Sequence, residues 1–77
     1  MEIKVLFFGV LAEVTGVIMK HYREIASFDD LKKRLSDDFP ELIHYTYRVA
    51  VNSQLSDSDM ELNDGDEVAL MPPFAGG

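Results

Sequence analysis

A chain of 77 residues is one domain with one core, and it buries only about 60% of the surface its unfolded form exposes. With no cysteine it has no disulfide, no thiolate metal site and no side-chain thiol chemistry, so its 47% hydrophobic content must hold the fold by packing alone. Fourteen acidic against 7 basic residues give a net charge of -7, which excludes the basic footprint of a nucleic-acid binder; only Lys32-Lys33-Arg34 form a cationic cluster.

Such an acid balance steers a small domain toward a basic protein partner, or simply keeps it soluble. Met1-Glu2-Ile3-Lys4 lacks the basic segment, apolar stretch and cleavage site of a signal peptide. No apolar run approaches the roughly 20 residues of a membrane-spanning helix. These features predict a cytoplasmic protein with no membrane partner.

Glu2 to Phe8 reads as the first strand, with Ile3, Val5 and Phe7 on one face and Lys4, Leu6 and Phe8 on the other. Apolar groups on both faces mark a central strand. Gly9 breaks it, and Leu11 to Thr15 forms a short helical turn closed by Gly16. Val17 to Arg23 is a second strand and hairpin partner. Its two rows, Val17-Met19-His21 and Ile18-Lys20-Tyr22, leave the facing open.

Ser27 to Asp38 is the clearest helix. Ser27 caps it, Asp30 completes a capping box, and Phe28, Leu31, Leu35 and Phe39 form an apolar stripe. Asp29 and Asp30 in its first turn suit the helix dipole, and Pro40 stops it. The stripe is read as core, not as a ligand site. Leu42 to Tyr47 is ambiguous between elements. Arg48 to Asn52 is a third strand with Val49 and Val51 facing in. Asn52-Ser53 turns it, and Gln54-Leu55 starts a short return strand. Ser56 to Met60 is a polar loop. Asn63-Asp64-Gly65-Asp66 is a tight turn, and Glu67 to Met71 is the last strand, with Val68 and Leu70 opposite Ala69 and Met71.

The order β, β, α, β, short β, β with one main helix predicts an α+β fold. It is a β-grasp, ubiquitin-like roll whose mixed sheet packs on that helix. The first and last strands lie side by side in the middle. Residues 1–72 form the domain and residues 73–77 an extended, flexible tail.

That tail holds the chemistry. Gly76-Gly77 carries no side chain and can thread a narrow channel, presenting the Gly77 carboxylate to another protein's active site. A random chain ends in Gly-Gly only about 0.5% of the time, from a glycine usage of about 7%. The alternative is a frayed terminus. Pro72-Pro73 is a stiff spacer and Phe74 a hydrophobic contact before the thread. From Pro73 to Gly77 the extended chain reaches about 17 Å. If Ile3, Val5 and Phe7 face the helix, then Phe8, Met71 and Leu55 sit on the outward face as an apolar docking patch; the alternative is a small second core under a loop.

Other sites are weaker. His21 and His44 lack the spacing and partners of metal ligands. Asp57, Asp59, Asp64 and Asp66 lack the loop of a calcium site. No phosphate-binding glycine loop is present, so the chain itself is expected to hold no nucleotide, cofactor or metal.

The opening MEIKVLFFG and the ending from Leu62 to Gly77, LNDGDEVALMPPFAGG, resemble the small subunit of molybdopterin synthase, the MoaD-type sulfur carriers of the MoaD/ThiS family. The likeness spans the chain and is loose between Val17 and Tyr47. It implies that an E1-like, MoeB-type enzyme uses ATP to adenylate the Gly77 carboxylate, and that a sulfur donor converts the adenylate to a thiocarboxylate. The tail then enters a MoaE-type large subunit, where sulfur passes to a cyclic pterin precursor of the molybdenum cofactor. The resemblance also implies a heterotetramer with that subunit. It places Phe8, Leu55 and Met71 at the family's hydrophobic contact positions, although an aromatic is more usual where Met71 stands. Carriers for thiazole, tRNA thiolation or cysteine synthesis share the tail, and a protein modifier or an inert ubiquitin-like interaction module would show the same fold.

Overall fold

Alternation in β1 (Ile3–Phe7) places Ile3, Val5 and Phe7 in the core, with Lys4 and Leu6 half-buried on the other face. The strand is central, as its two apolar faces require. It pairs antiparallel with β2 (Met19–Tyr22) and parallel with β5 (Glu67–Met71). β3 (Arg48–Val51) pairs antiparallel with both β5 and β4 (Gln54–Ser56), giving the order β2-β1-β5-β3-β4. This is the β-grasp arrangement expected from the sequence, seen in a computed structural model that describes residues 1–56 and 61–73.

α1 (Val10–Thr15) bridges β1 and β2, and its buried Leu11 closes one end of the core. α2 (Phe28–Asp38) crosses one sheet face. Its Leu31 and Leu35 are buried, while Phe28 and Phe39 pack on the core margin. Phe39 meets Phe7 edge-on with ring centroids 5.5 Å apart, a favoured aromatic geometry. The Ser27 hydroxyl accepts from the Asp30 N–H at 3.1 Å. The reciprocal arm of the capping box differs from expectation: the Asp30 carboxylate accepts from Ala26 N–H at 2.8 Å. Ser27 is fully extended (φ -163°, ψ 173°), which brings the preceding amide within reach.

The segment after α2 resolves the ambiguity there. Pro40–His44 is a 3-10 helix with Pro40 in its first turn and Leu42 buried. Proline ends α2 but starts the next helical turn, because its missing N–H has no partner to lose there.

Two polar networks fix the sheet edges. Tyr22 is buried, so β2 turns its Lys20-Tyr22 row toward α2. The Tyr22 hydroxyl donates to Asp38 Oδ2 at 2.8 Å, and Lys20 Nζ reaches the same oxygen at 2.7 Å. The Lys20 bond, then the Tyr22 bond, holds the Asp38 carboxyl below its ordinary value. Burial, then the Asp38 bond, pushes the Tyr22 phenol well above its usual 10. At the opposite end, the Asp66 carboxylate accepts from Asn52 Nδ2 at 3.0 Å and from the Asn63 N–H at 2.8 Å. Those two bonds, in that order, depress its titration. Asn52 Oδ1 in turn accepts from the Glu67 N–H at 3.0 Å, which ties the β3–β4 turn to the start of β5.

Candidate functional site

With α1, α2 and the 3-10 helix packed around the buried row Val5 and Val68, the other sheet face carries no helix among the described residues. Strand register determines what that face displays. Leu6 lies opposite Met19 on β2 and Ala69 on β5. Ala69 lies opposite Ala50 on β3, and Ala50 opposite Leu55 on β4. One row therefore crosses all five strands as Met19, Leu6, Ala69, Ala50, Leu55.

Two alanines in the middle of that row make a low floor, and the larger side chains around it make walls. The result is a concavity of about 380 Å³. Ala50 and Ala69 form its floor, with Leu6, Phe8, Leu55 and Met71 around them. Ala50 is itself buried although it points away from the helices, because neighbours on both sides overshadow it. Phe8 and Leu55 remain 46% and 55% exposed, an unusual state for large apolar groups grouped on one face. Pro72 and Pro73 complete the wall where the chain leaves β5.

The structure thus brings Phe8, Leu55, Met71, Pro72 and Pro73 around one cavity. Phe74, Gly76 and Gly77 lie outside the described residues. Ala50, Arg48, Ser53 and Glu67 also line the cavity and were not singled out from the sequence. The alignment of β3 with β5 brings Arg48 and Ala50 there, while Ser53 comes from the β3–β4 turn and Glu67 from the start of β5. The polar side chains in the described lining are Arg48, Ser53 and Glu67, and Lys4 on the neighbouring strand pairs with Glu67 at 3.8 Å. An apolar floor with a charged margin suits binding another protein; it does not assemble a nucleophile with a base.

His21 and His44 are exposed and belong to different elements, β2 and the 3-10 helix. Among the described residues no group of three histidine, aspartate or glutamate side chains is placed to hold a metal ion. Nor is any helix among them long and apolar enough to cross a membrane.

Comparison with known proteins agrees with the geometry. The model of the ThiS family matches residues 5–77. The molybdopterin synthase sulfur carrier subunit of Mycobacterium tuberculosis is 33% identical over 81 residues, covering 99% of this chain and 98% of that one. A chain of the protein-protein complex of subunits 1 and 2 of the molybdopterin-converting factor from Helicobacter pylori superposes with a TM-score of 0.76 at 26% identity, both chains covered in full. SAMP1 of Haloferax volcanii, a small archaeal modifier protein, superposes at 0.79 with 25% identity, again over 100% of both chains.

Proposed function

This chain belongs to the ThiS family, and on that premise we propose that it is the sulfur carrier subunit of a molybdopterin synthase. The observation that carries the proposal is the end-to-end similarity to a protein of that name, at 33% identity. An open apolar face with Pro72 and Pro73 on its rim supports the reading, the face serving as the docking surface for a partner.

In this reading the working group is the Gly77 carboxylate. A carboxylate resists substitution because hydroxide and oxide are poor leaving groups. An E1-like activating enzyme binds ATP; the carboxylate oxygen attacks the α-phosphorus, releasing pyrophosphate and forming an acyl-adenylate. A sulfur donor at the sulfide oxidation level then displaces AMP, leaving a thiocarboxylate. Its sulfur attacks a carbon of the cyclic pterin precursor in the large subunit, a C–S bond forming as a C–O bond there breaks and the oxygen leaves with the electron pair. Water finally cleaves the acyl–sulfur bond to restore the carboxylate. The carrier itself contributes docking and reach. Gly76 and Gly77 keep the thread slim, and Phe74, Pro73 and Pro72 hold its base against the partner. In this reading the chain itself needs no cofactor or metal, and ATP is bound by the activating enzyme.

The partner class follows from the Helicobacter pylori complex, in which subunit 1 is bound to subunit 2. We extend this to a heterotetramer of two carriers on a dimeric large subunit, working in the cytoplasm.

The test is the intact mass of the chain after incubation with an activating enzyme, ATP and a sulfide source. A gain equal to sulfur minus oxygen, abolished by deleting Gly77, is the expected result. No gain with an enzyme shown to charge a control carrier would overturn the reading. The likeness to SAMP1 favours a second reading, a modifier joined through Gly77 to a lysine of another protein. That reaction would show instead as this chain linked to a target by an isopeptide bond.

A further inference from the structure

The end of β1 and the start of the exit segment touch at one point. Phe8 N–H donates to Leu70 O at 3.0 Å, carrying the β1–β5 register one step past the sheet. One step further stand Gly9 and Pro72. A β-carbon built on Gly9 would lie 2.8 Å from Pro72 Cγ and 3.4 Å from Cδ. The Pro72 ring therefore rests on the bare α-carbon of Gly9. Gly9 itself has φ 56° and ψ -134°, and Leu11 N–H returns to Phe8 O at 3.1 Å. Those values are the first central position of a type II′ turn, where glycine is favoured because an L side chain is strained.

We infer that Gly9 is a positioning residue for sulfur transfer: its missing side chain seats Pro72 and so sets the direction in which the chain leaves the domain toward Gly77. The inference rests on the carrier reading. Proline has no rotatable side chain through which to retreat. Its ring is bonded to the backbone nitrogen at Cδ, so a push on the ring becomes a displacement of residue 72. Fixed φ at Pro72 and Pro73 then carries that displacement outward as a change of direction. Pro72 lines only one end of the docking groove; its floor, Ala50 and Ala69, and the walls at Leu6 and Leu55 are not part of this contact. Docking and aim are thus separable. A side chain at residue 9 spoils the placement of the tail in the activating enzyme while the domain still binds.

The separation is measured in the charging reaction, with initial rates followed by intact mass as carrier concentration is varied. Gly9→Ala is expected to lower kcat on the order of tenfold, with Gly9→Val lower still, while KM changes by less than about threefold. In a Pro72→Ala background the clashing Cγ and Cδ are absent, so adding Gly9→Ala should lower kcat by no more than about threefold. A merely structural loss would follow the folded fraction, read by circular dichroism at the assay temperature, and would persist in that background.

Equal kcat for Gly9→Ala and the natural chain overturns the inference, as does an undiminished effect in the Pro72→Ala background. Should Gly9→Ala not fold, Pro72→Gly leaves the turn intact and removes the seated ring. It is expected to lower kcat by a larger factor than it raises KM, since Pro72 also lines one end of the groove, and a natural kcat there overturns the inference equally. If the natural chain is never charged by an enzyme that charges a control carrier, the carrier reading itself fails and takes this inference with it. If the natural chain is charged and only the residue 9 effects are missing, the carrier reading stands.

Discussion

Removing the two most exposed apolar side chains of the groove should weaken docking by a calculable amount. Phe8 keeps 46% and Leu55 55% of its surface in water. Complete burial of such a side chain contributes about 1.5–3 kcal/mol. Covering the exposed half therefore contributes about 1 kcal/mol for each, or roughly a fivefold change in Kd. Phe8, just past the end of β1, and Leu55 on β4 are separated by three strand spacings, about 14 Å. At that distance their effects should add, giving about 2 kcal/mol and roughly thirtyfold for Phe8→Ala/Leu55→Ala. Titration calorimetry against the large synthase subunit reads this directly. Because neither side chain is core, the melting temperature should change little. Ile43→Ala is the control: Ile43 is 84% exposed but sits on the 3-10 helix, on the helical side of the sheet. It should leave Kd unaltered. A double variant within about threefold of the natural Kd, or an Ile43→Ala effect as large as that of Leu55→Ala, would refute the assignment of this face.

Two further outcomes concern the fold. Asp38 and Asp66 both titrate below their ordinary value in the folded state, so on acidification the unfolded chain takes up protons first. Their stabilisation is therefore complete only above about pH 5 and is lost as pH falls through the unfolded and then the folded values. The urea midpoint should drop between about pH 5 and about pH 2, less steeply in Asp38→Asn/Asp66→Asn; a flat profile for the natural chain contradicts this. Gly65 has φ 86° with nothing within 4 Å of a built β-carbon, so Gly65→Ala should cost only the backbone strain. That is about 1 kcal/mol, or a melting temperature about 4–8 °C lower, and a rise in melting temperature would refute it.

Much of this molecule was readable locally. The alternation of Ile3, Val5 and Phe7, the Ser27 cap with its Leu31-Leu35 stripe, and the Gly65 turn each depend on neighbours a few residues away. Periodicity and backbone sterics therefore specify them without knowledge of the rest. The outward placement of Phe8, Leu55 and Met71 followed from the same alternation once the strand order was assumed. The facing of β2 was not readable, because both of its rows carry apolar residues. What turned Tyr22 inward was a hydroxyl partner on α2, Asp38, sixteen residues later.

Nor did Leu42 to Tyr47 have a local answer: Pro40 could close one helix or open another, and burial of Leu42 against the core decided it. The groove floor illustrates the same division. Ala50 and Ala69 are unremarkable in sequence and become a cavity only when β3 and β5 align them. Gly9 announces a break in a strand; that it supports Pro72 emerges only from the β1–β5 register. The sequence by itself determined the elements, the helix cap and the Gly-Gly ending, since those follow from short-range periodicity and sterics. Tertiary structure alone decided which small residues meet across strands, Ala50 with Ala69 and Gly9 with the far end of the chain at Pro72. That meeting gives the outward face its depth and the exit segment its seat.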